Sequence, residues 1–273
     1  RECASFVSSQ DQTRDIRALP GAINFRDVAL CGAVRPGRLF RSGELSRLDD
    51  DGRKTLRQLG IMDVADLRSP GEASLLGPGQ VPSDVRIHGL PIPDVATDGE
   101  SPHEHAWRQA MAENPDSETI AAAATRYMVE EYRRFPAYTG TQRALRRIVQ
   151  LLADERPVLV HCFAGKDRTG FLVALVLEAI GVDRDVILAD YLRSNVSMSS
   201  LRSQVLSMIE RRSGATAFIT EAQVCDEVVG VRDEYLAAAR SVIDGQFGSL
   251  TAYLRDAGIY ESDVDRLRSV LLS

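Results

Sequence analysis

The sequence is poor in lysine and cysteine, and it carries no excess of positive charge. Only two of its 33 basic residues, Lys54 and Lys166, are lysines, and the formal net charge is −6. We therefore do not expect a nucleic-acid binder or a basic membrane-surface protein. The four cysteines are widely spaced and form no Cys-x-x-Cys pair, a pattern that predicts neither a disulfide framework nor a zinc site. No metal and no cofactor are expected.

Long apolar stretches are missing as well. The longest, FLVALVLEAIGV at 171–182, is interrupted by Glu178 and predicts a buried helix. It is shorter than the roughly 18 apolar residues that a membrane span needs. The start of the chain has no apolar region of roughly 7–15 residues, so no Sec-type signal peptide is visible. On this ground alone the cytoplasm is the expected location.

Strand-like and helix-like segments alternate through most of the chain. Residues 1–18 are polar and predict an N-terminal extension, and residues 19–273 predict a single domain. The predicted strands are INFRDVAL, GRLFRSG, IMDVADL (61–67), DVRIHGLPI (84–92) and PVLVH, and the predicted helices are 50–59, 118–135 and 139–153. This alternation predicts the α/β class, with a largely parallel central sheet flanked by helices. The stretch 94–117, rich in Asp, Glu, Pro and Ser, predicts a long loop.

The last third of the chain, from Asp183 onward, shows helical periodicity and almost no strand signal. Apolar residues recur at helical spacing in two stripes: Leu201, Val205, Met208 and Ile209, and then Tyr235, Leu236, Ala239, Val242 and Ile243. Two interpretations stay open. These helices either pack on the core, or residues 197–245 form a helical lid over the loop at 162–168.

That loop lies between a short β-branched strand and an apolar helix, in the order PVLVH–CFAGKDR–TGFLVALVLEAIG. A loop that enters a helix N-terminus presents unpaired N–H groups and the positive end of the helix dipole, which together attract anions. Gly165 permits a turn that a side chain would obstruct. The loop is not a Walker A loop, because Val160 stands where that motif needs glycine and Asp167 where it needs Ser or Thr.

Cys162 begins this loop and Arg168 ends it. The amides that attract an anion also stabilise a thiolate, so a cysteine at the base of a phosphate-sized cup is a nucleophile aimed at phosphorus. The planar guanidinium at the other end can bind two phosphoryl oxygens at once, which an ammonium cannot do. The sequence therefore predicts covalent chemistry on a phosphate monoester.

The motif HCFAGKDRTG (161–170) resembles the HCxxGxxRTG signature of the cysteine-dependent protein tyrosine phosphatase superfamily. Similarity to secreted bacterial members runs from about Leu19 to the C-terminus, through NFRDV (24–28), GRLFRSGELSRLD (37–49), DVADLRS (63–69), VLEAIGVDRDVILADYLRSN (176–195) and GVRDEYLAAAR (230–240). The resemblance implies a phosphotyrosine-phosphatase-like fold and a phosphocysteine intermediate. It also implies secretion, with action outside the bacterium.

The resemblance also implies a role for each residue of the loop. Cys162 would attack phosphorus, and Arg168 would clamp the phosphoryl oxygens. The main-chain amides that would cradle the phosphate belong to Phe163, Ala164, Gly165, Lys166, Asp167 and Arg168. Thr169 would hydrogen-bond the thiolate as it leaves in the second step. His161 is expected to order the loop rather than to move protons.

A general acid is still required, since an alkoxide or phenoxide leaves poorly without a proton. The familiar Trp-Pro-Asp loop is absent, because the single tryptophan, Trp107, lies in HAWRQ. Asp167, inside the loop, and Asp94, in LPIPD, both remain candidates, and Asp167 is favoured. Asp66, in ADLRS, is expected to be a structural residue at the end of a strand.

Lys166 is the remaining residue of the loop that calls for an explanation. We interpret it as a flexible, exposed ammonium beside the cup, suited to a second phosphate on the substrate. The alternative is a chance lysine in an arginine-rich chain.

The predicted function is a protein tyrosine phosphatase of broad specificity. The resemblance implies phosphotyrosine as the main substrate, with phosphoserine and phosphothreonine also accepted, and phosphorylated proteins or peptides as partners, including those of a host cell. Two alternatives stay open. One is a phosphoinositide phosphatase, which Lys166 favours. The other is a phosphate-binding pseudophosphatase without activity, against which the intact Cys162, Arg168 and Thr169 argue.

Overall fold

The computed structural model describes residues 18–29, 34–93, 117–211 and 224–272. Five strands form one sheet: β1 (Arg26–Asp27), β2 (Leu39–Ser42), β3 (Asp63–Asp66), β4 (Arg86–Gly89) and β5 (Val158–His161). Their order is β1-β2-β5-β3-β4; β1 is antiparallel to β2, and all other neighbours are parallel. The predicted α/β class and the largely parallel sheet are confirmed.

The four parallel strands end level with one another. His161 at the end of β5 is paired with Ser42 of β2 and with Asp66 of β3, and Asp66 is paired in turn with Gly89 of β4. Chain segments that follow parallel strands therefore emerge at the carboxyl ends of the strands, which is where open α/β folds bind their ligands. The loop that begins at Cys162 leaves the central strand at this end of the sheet.

Eleven helices surround the sheet in the described residues. They are α1 (Asp50–Gln58), α2 (Pro70–Leu76), α3 (Ser117–Arg134), α4 (Thr139–Ala153), α5 (Arg168–Ala179), α6 (Arg184–Leu192), α7 (Met198–Arg211), α8 (Asp226–Val229), α9 (Asp233–Phe247), α10 (Leu250–Asp256) and α11 (Glu261–Leu271). The predicted helices at 50–59, 118–135 and 139–153 are confirmed as α1, α3 and α4. Helix α2 was not predicted.

Each face of the sheet buries its own apolar cluster. On one face Phe40, Val64 and Leu159 of the sheet pack with Leu56 of α1. On the other face Ala65 and Val160 belong to a larger cluster with α3, α4, α5 and α9 to α11. Alternate residues of a strand point to opposite faces, so one short strand can serve both layers. Cys162 at the start of the loop and helix α5 belong to the larger cluster, which fixes the position of the nucleophile.

The helices of the last third divide between two clusters. Tyr235, Ala239 and Ile243 of α9 are buried in the main core. Leu201 of α7 and Val229 of α8 instead belong to a separate small cluster. The core interpretation therefore describes α9, and the lid interpretation is left with α7, α8 and the residues near them.

Within the described ranges no helix combines the length and the hydropathy that crossing a membrane requires. The same part of the chain contains no group of three or more His, Cys, Asp or Glu side chains arranged as metal ligands.

Candidate active site

The loop 162–167 is tied to the rest of the protein through its carbonyl oxygens. Asn24 Nδ2 donates to the carbonyls of Ala164, at 3.2 Å, and Gly165, at 3.0 Å. Arg41 Nη2 donates to the Gly165 carbonyl at 2.9 Å and to that of Lys166 at 3.4 Å. The loop is thus held from behind by two side chains more than a hundred residues away in sequence.

These ties orient the amide groups. In a planar trans peptide the N–H points away from the carbonyl of the same unit. Because the carbonyls of Ala164, Gly165 and Lys166 face Asn24 and Arg41, the N–H groups that follow them face the other way. The main-chain N–H of Glu44 binds the Phe163 carbonyl at 2.9 Å, which orients one further unit in the same manner. Four amides, those of residues 164–167, are therefore available on one side as a nest for an anion.

Gly165 is required by this geometry. Its φ is +68°, in the left-handed region. A Cβ at this position would lie 2.1 Å from the carbonyl oxygen of Ser42 and 2.5 Å from the main-chain nitrogen of Gly43. Any side chain here would push the loop away from the end of β2, so the sequence prediction for Gly165 has a steric reason as well as a conformational one.

A buried ion-pair network supports the loop from below. The Asp190 carboxylate on α6 binds Arg26 Nε at 2.7 Å and Arg41 Nη1 at 2.6 Å, and all three side chains are almost fully buried. Burial raises the pKa of Asp190, but the two guanidinium groups outweigh it and the net shift is downward. Burial, and then the charge of Arg41, lower the pKa of Arg26 to about 10. Two cations share one carboxylate, which leaves net positive charge behind the loop.

Arg168 is held by a partner that the sequence did not suggest. Its Nη1 and Nη2 donate to the two carboxylate oxygens of Glu72, each at 2.6 Å, and Nη1 also reaches the Ile92 carbonyl at 3.0 Å. Burial alone would lower the pKa of Arg168, but the charges of Glu72 and Cys162 outweigh it, and the pKa lies above the ordinary arginine value. The guanidinium is fixed in orientation and stays charged.

Glu72 belongs to the helix that was not predicted. Ser69 and Glu72 form a capping box at the start of α2: Ser69 Oγ accepts from the Glu72 N–H, and Glu72 Oε2 accepts from the Ser69 N–H at 2.7 Å. The signal was present in the sequence as S-P-G-E at 69–72, a Ser-x-x-Glu pattern with proline at the first helical position.

The nucleophile Cys162 and the hydroxyl residue Thr169 are both buried. Cys162 is 1% exposed, and Thr169 Oγ1 has no hydrogen-bond partner among the described residues. An unpaired buried hydroxyl costs about 1–3 kcal/mol, and a hydrogen bond to the Cys162 sulfur during the reaction would offset that cost. His161 Nδ1 donates to the Cys162 carbonyl at 3.2 Å, and burial lowers the pKa of His161. These contacts fit a residue that orders the loop.

Asp167 lies at the end of a hydrogen-bonded chain of phenols. Tyr191 donates to Tyr132 at 2.7 Å, and Tyr132 donates to Asp167 Oδ1 at 3.0 Å. Lys166 Nζ binds the same oxygen at 2.7 Å. Burial raises the pKa of both tyrosines well above the ordinary value, so they stay neutral donors. Both hydrogen bonds go to Oδ1, and Oδ2 has no donor from the described residues.

Lys166 differs from the expectation. We expected a flexible, exposed ammonium, but the residue is 4% exposed, and its Nζ binds both Asp167 and the carbonyl of Gly230, the latter at 3.2 Å. The segment between α8 and α9 supplies that carbonyl and so covers the lysine. The sequence could not indicate this, because Gly230 is 64 residues away.

The other two carboxylates have different outcomes. Asp66, the last residue of β3, forms a two-point ion pair with Arg68, whose Nη2 lies 2.7 Å from Oδ2. Burial raises the pKa of Asp66, but the bonds to Arg68 prevail and lower it. Asp66 ends β3 as predicted, and its ion pair with Arg68 is consistent with the structural role expected for it. Asp94 lies outside the described residues, as does most of the predicted loop 94–117.

The loop is also in contact with the helices of the last third. Ala164 belongs to the small cluster of Leu201, Val224 and Val229, and Phe163 packs against that cluster. Across the same contact Gln204 Nε2 on α7 donates to Glu44 Oε1 at 3.2 Å. Helix α7 and the segment 224–230 therefore pack directly on the loop.

Comparison with known proteins adds to this geometry. A family model described as "Tyrosine phosphatase family" matches residues 17–273. Triple specificity protein phosphatase PtpB of Mycobacterium tuberculosis is 57% identical over 273 residues, which cover 94% of this chain and 99% of that protein. A protein of Cupriavidus necator named for tyrosine-protein phosphatases is 34% identical over 95% of this chain and 85% of its own length. A tyrosine-protein phosphatase of Nostoc commune is 26% identical over 91% of this chain and 79% of its own length.

Proposed function

Because this chain belongs to the tyrosine phosphatase family and is thus a phosphatase enzyme, we propose that the loop 162–168 hydrolyses phosphate monoesters through a phosphocysteine intermediate. One observation carries the proposal: Asn24 and Arg41 hold carbonyls of a loop that begins with Cys162 and ends with a fixed guanidinium, which directs the amides of residues 164–167 to the other side. A phosphate on that side would meet the positive ends of dipoles and a cation.

The first step transfers the phosphoryl group to the enzyme. The Cys162 thiolate attacks phosphorus, an S–P bond forms, and the P–O bond to the leaving group breaks. Arg168 and the amides hold the three equatorial oxygens throughout. A carboxylic acid protonates the departing oxygen, and we assign this role to Asp167 because Oδ2 is free to carry the proton. Asp94 remains the alternative.

The second step returns the enzyme to its starting state. Water attacks the phosphocysteine, inorganic phosphate forms, and the S–P bond breaks to release the thiolate. The carboxylate that gave up its proton in the first step can now accept one from the water. The buried hydroxyl of Thr169, which has no partner among the described residues, donates to the departing thiolate.

The substrate range is proposed to be broad. The loop contacts the phosphate through its main chain and Arg168, and these contacts are the same for phosphotyrosine, phosphoserine and phosphothreonine. The name of the mycobacterial relative, which refers to triple specificity, supports this range. Inositides with several phosphates are the alternative class, but Lys166 does not favour them, because its ammonium is buried and bound to Asp167 and the Gly230 carbonyl. Parallel rates on phosphotyrosine, phosphoserine and phosphothreonine peptides and on mono- and bis-phosphorylated inositides would rank the classes.

The proposal includes a place of action and a cover for the site. We propose action outside the producing cell, as the resemblance to secreted members implies, so the enzyme should appear in culture filtrate in excess of a cytoplasmic marker. Helix α7 and the segment 224–230 would shield the Cys162 thiolate from oxidants. Leu201→Asp should then speed inactivation by hydrogen peroxide, while the midpoint of thermal unfolding stays close to that of the wild type. Unchanged inactivation kinetics would contradict the shield.

The covalent mechanism is tested with para-nitrophenyl phosphate. Cys162→Ser should reduce turnover to below roughly 1% and keep phosphate binding, because a serine hydroxyl is not ionised near neutral pH. Arg168→Lys should also be nearly inactive, since an ammonium cannot bind two oxygens in one plane. Substantial turnover by the serine variant would contradict the mechanism, and near-normal activity of the lysine variant would place the site elsewhere.

A further inference from the structure

A second concave site lies at the outer edge of the sheet, between strand β4 and helix α4. It is a cavity of about 420 Å³. Its lining residues are His88, Gly89, Leu90, Arg143, Arg146, Arg147 and Gln150. Three of these are arginines and none carries a carboxylate. We call this cavity the edge groove.

Two of the arginines that line the edge groove have no carboxylate partner in the described ranges. Arg146 and Arg147 form no ion pair with the described residues. Arg26, Arg68 and Arg168, by contrast, each bind a carboxylate directly. The chain as a whole has a formal net charge of −6. These two adjacent guanidinium groups line one cavity, and such groups attract anionic groups with planar, two-point geometry.

The groove also offers main-chain groups. β4 is the last strand of the sheet order, so one of its edges has no strand partner among the described residues. The Leu90 N–H donates to the main-chain carbonyl of Asp66 at 2.8 Å, so the main-chain groups of Leu90 face β3. In a parallel pair the neighbouring residue faces the opposite way, which directs the N–H and C=O of Gly89 outward. Gly89 is exposed, and a Cβ on it would meet nothing within 4 Å.

We propose that the edge groove docks an extended acidic or phosphorylated segment of a polypeptide substrate. The segment pairs with the main chain of β4 at Gly89, and its phosphate or carboxylate groups bind Arg146 and Arg147. A lipid headgroup could use the arginines but not the strand edge, so a polypeptide fits the whole site.

The position of the groove connects it to the catalytic loop. Leu90 precedes Ile92 by two residues, and the Ile92 carbonyl accepts from Arg168 Nη1 at 3.0 Å. Two extended residues span about 7 Å. One substrate chain can therefore place a phosphorylated residue on the loop and a second anionic residue in the groove. The proposal goes beyond the proposed function and rests on it only in taking phosphorylated polypeptides as substrates.

The test compares peptides with one and with two phosphotyrosines. The second phosphotyrosine is placed at a series of spacings, about two to six residues from the first, to cover the reach of an extended chain. The measured quantity is the ratio of kcat/KM for the doubly to the singly phosphorylated peptide. The double variant Arg146→Glu, Arg147→Glu should lower this ratio about 10-fold at the best spacing, which corresponds to about 1.4 kcal/mol.

A matched control is provided by α1, which packs on the other face of the sheet. The variant Lys54→Glu, Arg57→Glu makes the same change in net charge on an exposed surface, and the ratio should stay within about twofold of the wild-type value. An equal effect of both variants on the ratio would overturn the proposal in favour of general electrostatics. So would an unchanged ratio in the groove variant, or an equal loss on para-nitrophenyl phosphate.

Two further outcomes are distinguishable. A larger loss on a bis-phosphorylated inositide in vesicles than on the peptides would overturn docking of a polypeptide and assign the groove to a lipid headgroup. If the wild-type enzyme does not turn over para-nitrophenyl phosphate, the proposed function itself fails, and that result is obtained before any groove variant is made.

Discussion

The guanidinium of Arg168 and the carboxylate of Glu72 face each other in a two-point ion pair, with 2.6 Å on each arm. The arginine comes from the start of α5 and the glutamate from the start of α2, 96 residues earlier. Because both carboxylate oxygens are occupied by Nη1 and Nη2, the rotation of the guanidinium about its own bonds is restricted. The clamp for phosphate is thus oriented before a substrate arrives.

Removal of that partner should reduce activity without removing Arg168. Glu72→Gln keeps the shape of the side chain but loses the charge and one acceptor, so the guanidinium is free to turn. We expect kcat/KM for para-nitrophenyl phosphate to fall on the order of 100-fold, the cost of a misplacement of about 1 Å. Ser69→Ala is the control: it removes the capping hydroxyl at about 1 kcal/mol of stability and leaves the ion pair in place. Equal activity of the two variants would contradict the orienting role of Glu72.

Arg41 should matter for oxyanion binding because it holds the loop carbonyls outward. Arg41→Met removes the bonds to Gly165 and Lys166, and peptide units that are free to turn no longer present all their amides. We expect kcat to fall about 100-fold, as when an oxyanion donor is lost, with weaker inhibition by orthovanadate. Arg156→Met is the control, since Arg156 binds buried Asp63 at 2.6 Å at the opposite end of the strands. It should lose stability but keep its affinity for vanadate.

The general acid can be identified by the leaving group. Asp167→Asn and Asp94→Asn are each measured on an activated aryl phosphate and on an alkyl phosphate, whose leaving group needs protonation far more. We expect Asp167→Asn to lose on the order of 100-fold more activity on the alkyl than on the aryl ester, in line with general acid catalysis. An equal loss on both esters would mean that Asp167 shapes the loop, and the acid role would pass to Asp94.

Because Lys166 is buried, its removal should have a different effect on activity from the removal of an exposed ammonium. Its ammonium is shared between Asp167 and the Gly230 carbonyl, so Lys166→Ala removes a tie between the loop and the segment covering it. We expect turnover to fall about 10-fold on phosphotyrosine peptides as well as on inositides, because a bond to a charged group contributes about 1.5–3 kcal/mol. Raised salt should not mimic the mutation, since buried charges are screened little. A loss confined to bis-phosphorylated inositides would restore the role of a specificity residue.

Buried His161 should make the protein less stable in mild acid. Burial lowers the pKa of His161, so between that value and about 6.5 the unfolded state binds more protons than the folded state. Stability therefore rises with pH in this window and falls as the pH drops below about 6.5. One proton corresponds to a slope of up to about 1.4 kcal/mol per pH unit. Urea unfolding at pH values between about 7 and 5 measures it; a flat wild-type curve would contradict a neutral buried imidazole.

The sequence predicted those parts of the fold and site that depend on neighbours in the chain. The strand, the loop from Cys162 and helix α5 follow one another directly, so their residue types carry the whole signal. The resemblance to the phosphatase superfamily, drawn from the same motif, is confirmed by the family match and by the relatives. Gly165 was predicted for its conformation, and the contact with Ser42 explains why no other residue fits.

The parts that were missed depend on distant residues. Asn24, Arg41 and Asp190 look like ordinary polar positions in sequence. The pairing of β2 with β5 brings Arg41 under the loop, and the packing of α6 brings Asp190 to Arg41. Tyr132 is one of several apolar-facing residues of α3, and nothing local connects it with Asp167. Lys166 was expected to be an exposed ammonium at the rim of the cup, whereas the distant Gly230 covers it. Glu72 alone had a local signal, the Ser-x-x-Glu cap.

The ties behind the loop have a consequence for how the enzyme is made. Asn24 binds the loop across 140 residues, and Asp190, which fixes Arg41, follows the loop in the chain, as does Gly230. When Cys162 has just emerged from the ribosome, Asp190 and Gly230 have not yet emerged with it. Contacts of such long sequence separation form late in folding. In a nascent or truncated chain that ends before Asp190, Arg41 lacks its buried carboxylate, so we expect the nest beside Cys162 to be fully ordered only when the C-terminal third is in place.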